Sequence, residues 1–383
     1  MRHFLLSILM LGCLNQALLA QSNCILTPNS PNICAGIDVG ARGIKPIVIQ
    51  INPSTSGRKA VELRRMSKDL KADNSFDLLR DTTEVMIDCA ARHIGKYVEI
   101  FQGPLYSVAP EKIFVVLSSG LVGVLKSQPK RLALLKKKIK EYSGIEAAEL
   151  SEKDEGELTV RSVTSDDDLK KAQVHVLDIG SGSIKGGYSE DDDYINQFSA
   201  IVGVRSIAAK LDSMAKADNL DVNNPDHRYL LARFARNYFK TNFLDTGKPL
   251  DVAKKTTEGV CWAGGIVYVF TTWFKPEEIA GGKKYITFRL DDVDYFFQKV
   301  VSSRNNEELF KNSPQLEEGM TRASREFFAD AKKVISRDAE MLAGVAILKE
   351  LSNKYREMGV RENVFNSELL FGWIKYYMYW RVR

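Results

Sequence analysis

One phrase occurs twice in this sequence, and the repetition constrains the fold more than any other feature. Ile37–Lys45 and Leu177–Lys185 both follow the pattern apolar-Asp-apolar-Gly-x-x-x-Ile-Lys. Each copy lies between two runs of strand-forming residues, which predicts a strand, a glycine-rich turn and a second strand. The copies are separated by about the length of one domain. The sequence therefore predicts two similar half-structures that face each other, with two ordinary hairpin turns as the alternative.

The chemistry of such a turn suits an anion. Glycines allow the backbone to approach a ligand closely and to adopt positive φ values. Successive backbone N–H groups can then point at one anion and form a nest. An aspartate at the end of the strand can hold a hydrated Mg²⁺, which neutralises phosphate oxygens. Two such turns across a cleft would hold a phosphate chain from both sides.

Strand-like and helix-like segments alternate between the two copies, which predicts an α/β fold. Residues 129–142 are predicted to form a basic amphipathic helix. Its lysines would either attract a polyanion or, more commonly, form a solvated face. After the second copy, residues 229–242 are predicted to be helical, and a surface position is predicted for Arg228, Arg233, Arg236 and Lys240.

Composition excludes several classes of protein. The chain has 383 residues, with 54 Lys and Arg against 49 Asp and Glu, so its formal net charge is +5. This mild excess does not indicate nucleic-acid binding. The apolar and charged fractions exclude a disordered, collagen-like or disulfide-dense chain. No internal apolar run reaches the roughly 20 residues that a membrane span needs.

Residues 1–20 have the pattern of a secretory signal peptide. Arg2 and His3 precede an apolar stretch, and small residues lead to a cleavage position after Ala20. A lipoprotein signal ending before Cys13 is less favoured, because its apolar region would be very short. We therefore expect an exported protein, either periplasmic or extracellular.

The exported chain would keep four cysteines, and exported proteins often form disulfides. Cys24 and Cys34 enclose a short loop and are the best candidate pair. Cys89 and Cys261 lie in apolar settings, where buried free thiols are at least as good an explanation.

The order of these landmarks resembles the exopolyphosphatase / guanosine-pentaphosphate phosphohydrolase (Ppx/GppA) family of the actin–hexokinase–Hsp70 superfamily. The similarity extends from about Ala35 to Trp373. The matching segments, besides the two copies, are residues 115–120, 144–158, 340–348 and 366–372. The resemblance implies an α/β, duplicated actin-like (ribonuclease H-like) ATPase fold with two lobes and a cleft between them.

The resemblance also implies a division into lobes. The first lobe would span residues 33–149, with the C-terminal residues 360–383 packing back on it. The second lobe would span residues 150–359.

By the same resemblance, the repeated segments and the segment between them acquire roles. Loop N–H groups and basic side chains would bind the terminal phosphate. These residues are Gly40, Arg42, Gly43 and Lys45 in the first copy and Gly180, Ser181, Gly182, Ser183 and Lys185 in the second. Asp38 and Asp178 would bind Mg²⁺ through water, and Glu155 would orient or deprotonate the attacking water. A surface carboxylate in the charged run 151–157 is an equal alternative for Glu155.

Several positions depart from the family's pattern. Residues 41–43 replace small polar residues, Lys45 replaces an arginine and Ser181 replaces a glycine. Lys185 stands where the family carries an acidic residue that helps to bind metal. A cation there opposes Mg²⁺, since one unit charge at about 4 Å is worth roughly 4 kcal/mol at an effective dielectric constant near 20. We therefore expect Lys185 either to pair with phosphate directly or to weaken metal binding and activity.

The predicted function is hydrolysis of phosphoanhydride bonds in polyphosphate or nucleoside polyphosphates by an exported enzyme. A catalytically impaired phosphate- or polyphosphate-binding protein of the same fold is the first alternative, and Lys185 favours it. A kinase of the same superfamily is the second, since Asp-x-Gly-x-x-x-x-Lys also fits sugar kinases. The sequence leaves the oligomeric state open, with a homodimer among the alternatives.

Overall fold

The computed structural model describes most of the chain. The described residues are 33–41, 43–52, 62–65, 70, 76, 78, 83–164, 174–189, 195–246, 259–315, 319–367 and 372–382. The predicted signal peptide, Cys24 and Arg42 lie outside these ranges. The described residues form two β-sheets with helices packed against them.

The first sheet is built around the first copy of the repeated phrase. Its strands are β1 (Ile33–Gly40), β2 (Gly43–Asn52), β3 (Glu62–Arg65), β4 (Ile113–Leu117) and β5 (Ala148–Glu149). Their order is β3-β2-β1-β4-β5. The first three strands are antiparallel, whereas β4 and β5 add in parallel. Since β1 is buried on both faces, its sequence is almost continuously apolar or small.

The second sheet repeats this arrangement around the second copy. Its strands are β6 (His175–Ile179), β7 (Ile184–Ser189), β8 (Ile195–Ala200), β9 (Gly259–Gly264), β10 (Tyr285–Thr287) and β11 (Glu362–Asn366). Their order is β10-β11-β9-β6-β7-β8, with an antiparallel β6-β7-β8 unit and parallel additions of β9 and β11. The order of β8, β7, β6, β9 and β11 therefore matches that of β3, β2, β1, β4 and β5. The predicted duplicated α/β organisation is confirmed.

Helices fill the connections between the strands. They are α1 (Glu84–Gln102), α2 (Ser119–Leu125), α3 (Pro129–Ser143), α4 (Glu152–Thr164), α5 (Val204–Ala217), α6 (Pro225–Asn242), α7 (Gly265–Phe274), α8 (Pro276–Ala280), α9 (Leu290–Ser302), α10 (Asn306–Lys311), α11 (Arg322–Val334), α12 (Asp338–Glu357) and α13 (Gly372–Val382). Within the described ranges, no helix combines the length and the apolar character that crossing a bilayer requires.

The C-terminal segment departs from the predicted lobe boundary. β11 pairs in parallel with β9, so this strand extends the second sheet. Only α13 returns to the first sheet, where Ile374 and Met378 pack in one apolar cluster with Cys34 and Ile47. The chain therefore crosses from the second sheet to the first after β11 rather than at residue 360. The reason is that β11 forms its backbone hydrogen bonds with β9 of the second sheet.

The basic helix α3 has the predicted extent and ends at Gly144, which adopts a φ of 72°. Its lysines pair with acidic residues. The pairs are Lys136 with Glu149, Lys137 with Glu141, Lys138 with Asp88 and Glu141, and Lys140 with Glu146. The structure therefore favours a solvated, ion-paired face over a polyanion-binding surface.

The described cysteines are free thiols. Cys34 is fully buried, and burial raises the pKa of its thiol to about 11. Cys24, its predicted partner, lies outside the described residues. Cys261 is buried as predicted, but Cys89 is exposed on α1. The apolar neighbours of Cys89 in the sequence face the core, whereas the helical period turns Cys89 away from it.

Candidate functional site

Each hairpin places one aspartate opposite one lysine. In the first hairpin Asp38 is the cross-strand neighbour of Lys45, and in the second Asp178 is the neighbour of Lys185. The Lys45 ammonium donates to Asp38 Oδ2 at 3.0 Å. Lys185 instead donates to a carboxylate from a third element, Glu155. The repeated phrase therefore yields the same register twice but two different ion pairs.

Glu155 is a buried residue at the start of α4. Ser151 caps this helix, with its hydroxyl accepting the Asp154 N–H at 3.1 Å. Glu155 has only 3% of its surface exposed. Its Oε2 accepts the Ser119 N–H at 2.7 Å, and its Oε1 accepts from Lys185. The alternative interpretation of Glu155 as a surface carboxylate is therefore wrong, because Glu155 lies on the buried face of α4.

The environment moves the pKa values of the three carboxylates. Burial raises the pKa of Asp38, against the opposing effect of Lys45. Burial likewise raises the pKa of Asp178, against Lys185 and Lys45. Burial also acts to raise the pKa of Glu155, but Lys185 and the Ser119 N–H together hold it below its usual value. Glu155 is therefore the member of this cluster most firmly held in the ionised form.

The charged residues of the two hairpins act on one another. Burial would lower the pKa of Lys45, but Asp38 and, across the crevice, Asp178 raise it overall. The Asp38 charge in turn contributes to the raised pKa of Asp178. The charged residues of both hairpins therefore form one electrostatic cluster, as the repeat predicted. The cluster contains Asp38, Lys45, Glu155, Asp178 and Lys185.

The second glycine-rich loop is held from behind by α5. The N–H groups of Val204 and Arg205 donate to the carbonyls of Gly180 and Ser181 at 3.2 and 2.8 Å. Within the loop, the Gly180 N–H donates to the Ser183 carbonyl at 2.9 Å. Gly180 therefore shapes the loop and does not offer this N–H to a phosphate, which corrects the role expected for it.

The remaining loop residues lie at the mouth of the crevice. Ser181 and Gly182 are partly exposed, and Ser183 is buried. A Cβ at Gly120, in α2, would lie 3.9 Å from Ser183 Oγ. In the first loop, Gly40 and Gly43 pair directly across the hairpin. The second loop therefore approaches α2, and a Cβ at Gly40 of the first loop would lie 4.0 Å from Ser118 Oγ, directly before that helix.

Gly203, which the sequence did not single out, fixes the second loop. A Cβ at Gly203 would lie 2.5 Å from the Ser181 carbonyl oxygen and 2.6 Å from the Ser183 nitrogen. Both neighbours are backbone atoms and cannot rotate away. The need for glycine at position 203 could not be recognised from the sequence, because it depends on the contact between the start of α5 and the second loop.

We expect Gly203→Ala to displace the second loop and to cost about 1–3 kcal/mol, as overpacking typically does. Binding of tripolyphosphate by the variant should weaken, and isothermal titration calorimetry measures it. Gly123→Ala, in α2, is the matched control, since its Cβ would meet no atom within 4 Å. Equal affinity for the two variants would contradict the role given to Gly203.

One buried carboxylate oxygen of the cluster has no partner. Asp38 Oδ1 makes no hydrogen bond among the described residues, although Asp38 is only 2% exposed. The Ser119 hydroxyl is equally buried and, with the Ser119 N–H, helps to lower the pKa of Glu155. Buried polar groups are normally satisfied, so the unpartnered oxygen indicates a place for a ligand or a water. Ser119 was part of a matching segment but was not a predicted site residue. Its role depends on the distant Glu155, which no local pattern reveals.

The donor set does not fit a resident divalent metal. Asp38 Oδ2 already accepts from Lys45, and both oxygens of Glu155 are hydrogen-bonded. An ammonium 4 Å from a divalent cation would repel it by roughly 8 kcal/mol at an effective dielectric constant of 20. In the described part of the chain, no three His, Cys, Asp or Glu side chains are grouped to hold a metal. Of the two aspartates expected to hold Mg²⁺, Asp38 is paired with Lys45, and the charges of Lys185 and Lys45 both act on Asp178.

Two sheets of matching strand order, each with its glycine-rich hairpin at a common crevice, define a two-lobed α/β protein with an actin-like architecture. Solved structures with this architecture include exopolyphosphatases. The exopolyphosphatase of Cytophaga hutchinsonii is similar with a TM-score of 0.61 and 14% identity, over 91% of this chain and 97% of that chain. The Aquifex aeolicus member of the Ppx/GppA family is similar with a TM-score of 0.58 and 12% identity, over 88% of this chain and 93% of that chain.

The chain therefore has the fold of the Ppx/GppA exopolyphosphatases, and the fold that the sequence motifs implied is confirmed. In sequence, no family model and no curated protein matches the chain.

Proposed function

We propose that this protein hydrolyses the terminal phosphoanhydride bond of polyphosphate or of a nucleoside polyphosphate. The observation that carries the proposal is the buried Glu155 carboxylate, paired with Lys185 in the crevice that both loops line. An ionised carboxylate beside fixed ammonium groups combines a proton acceptor with charge neutralisation for phosphate. The fold shared with the exopolyphosphatase of Cytophaga hutchinsonii supports this chemistry.

In the proposed reaction, the terminal phosphate lies between the two glycine-rich loops. Lys45 and Lys185 donate to its oxygens, and Ser119 Oγ offers a further hydrogen bond. Water attacks the terminal phosphorus, and the bridging P–O bond breaks with its electron pair leaving on the shortened chain. Glu155 orients the water and accepts its proton, which then passes to solvent.

A specific observation favours a second candidate, a binding protein without turnover. Both oxygens of Glu155 are occupied, one by the Ser119 N–H and the other by Lys185. A carboxylate held in this way is a poor proton acceptor until Lys185 turns toward phosphate. Tight binding of a phosphate chain without release of orthophosphate would identify this candidate.

Release of orthophosphate from polyphosphate and from ATP tests the proposal. We expect wild-type protein to release it, and Asp178→Asn to slow the release by about tenfold or more, because Asp178 holds the charges of Lys45 and Lys185 in the crevice. Asp218→Asn, at the exposed end of α5, is the matched control and should keep the wild-type rate. Absence of release from either substrate would overturn the hydrolase.

Export is part of the proposal. A protein processed after Ala20 and placed outside the cytoplasm would meet polyphosphate or external nucleotides rather than a cytosolic alarmone.

A further inference from the structure

We propose that Lys45 and Lys185 serve as the fixed cations of this site, so that it binds a phosphate chain without a divalent metal. The inference rests on the proposed function and specifies how its substrate is held.

The first argument is the position of the two lysines. Each hairpin contributes one, at the same register opposite its aspartate. Lys45 donates to Asp38 and Lys185 to Glu155, and both aspartates of the cluster act on both ammonium groups. The carboxylates therefore hold one positive charge on each hairpin, and both charges belong to one electrostatic cluster.

The second argument is donor capacity. An ammonium group has three N–H donors. The described structure gives the Lys45 and Lys185 ammonium groups one hydrogen bond each, to Asp38 and Glu155. Each can therefore bind phosphate oxygens while its carboxylate partner stays in place. The Lys45 side chain keeps 37% of its surface exposed, whereas that of Lys185 keeps 7%.

The third argument is what a metal would lack. Cations prefer unshared carboxylate oxygens, but those of Glu155 are both engaged and Asp38 offers only Oδ1. Ser119 Oγ is a hydroxyl that can donate to a phosphate oxygen. Lys185 and Lys45 both act on the charge of Asp178, the other expected metal ligand. The two ammonium groups thus oppose a metal ion and offer hydrogen-bond donors to a phosphate.

Calorimetric titration of the full chain with tripolyphosphate tests the inference, once in excess EDTA and once in excess MgCl₂ at matched free tripolyphosphate. We expect binding in EDTA at least as tight as in Mg²⁺. Binding in Mg²⁺ alone would overturn this inference and leave the proposed function standing. Absence of binding in both conditions would overturn the proposed function and this inference with it.

Variants of Lys185 give a second readout, the binding of Mn²⁺ without phosphate, followed by the electron paramagnetic resonance of free Mn²⁺. Wild-type protein should bind none, whereas Lys185→Glu should gain a site. Lys185→Gln keeps a hydrogen bond to Glu155 and removes only the charge. It therefore keeps the test decisive even if the glutamate variant does not fold. It should gain no Mn²⁺ site and lose tripolyphosphate affinity by about tenfold or more.

The exposed Lys126→Gln is the matched control for charge and should behave as wild type in both measurements. Binding of Mn²⁺ by wild-type protein, or wild-type tripolyphosphate affinity in Lys185→Gln, would overturn the inference.

Discussion

Replacing Glu155 by glutamine should reduce the rate of orthophosphate release by about 100-fold to 10,000-fold, the usual contribution of a positioned general base. The amide cannot accept a proton from water, and its NH₂ group would face the Ser119 N–H or Lys185, donor against donor. Affinity for tripolyphosphate should be kept or increased, because Lys185 is released from its carboxylate partner. The rate and the affinity are measured by phosphate release and by calorimetry.

The control for Glu155→Gln is Glu157→Gln on the same helix. Glu157 pairs with Arg161 at the surface of α4 and faces away from the crevice. Its replacement should leave the rate unchanged. If the two variants have equal rates, Glu155 takes no part in the chemistry, and another group must accept the proton of the attacking water.

Replacing Arg228 by methionine should lower the free energy of unfolding by about 3–5 kcal/mol, the typical cost of breaking a buried ion pair. Arg228 is fully buried in α6, and its guanidinium donates to Asp338 Oδ1 at 2.8 Å. It also donates to the carbonyls of Val222, Val300 and Arg304. Methionine supplies none of these donors, so all four acceptors would lose a partner. Urea unfolding measures the change.

Arg233→Met, on the exposed face of the same helix, is the matched control and should stay within about 0.5 kcal/mol of wild type. A loss for Arg228→Met no larger than this control would contradict the structural role. Arg228→Lys should be intermediate, since lysine restores the charge but not the guanidinium fork.

Arg228 also shows where reading the sequence failed. We expected it on the surface with Arg233, as charged residues usually are. The helical period already places Arg228 on the face of Leu231, Ala232 and Ala235, all of which are buried. The prediction relied on the charge of the arginine and did not follow the helical spacing. Three of its four acceptors are the distant Val300, Arg304 and Asp338, which no local pattern identifies.

The hairpins were predictable because their information is local. The order of Asp, Gly, Ile and Lys fixes a tight turn and the cross-strand pairs of Asp38 with Lys45 and of Asp178 with Lys185. Repetition of that order predicted the duplicated sheets, since equal local patterns form equal supersecondary units. The order of the motifs along the chain also predicted the overall fold, which is similar to that of solved exopolyphosphatases.

The sequence by itself thus determined two glycine-rich hairpins and the α/β class. Only the tertiary structure decided that Lys185 bonds to Glu155, that Ser119 supports the same carboxylate and that Gly203 closes behind the second loop. The physical reason is range. Turn geometry depends on neighbouring residues, whereas the partner of a buried charge depends on which distant elements the packing brings to it.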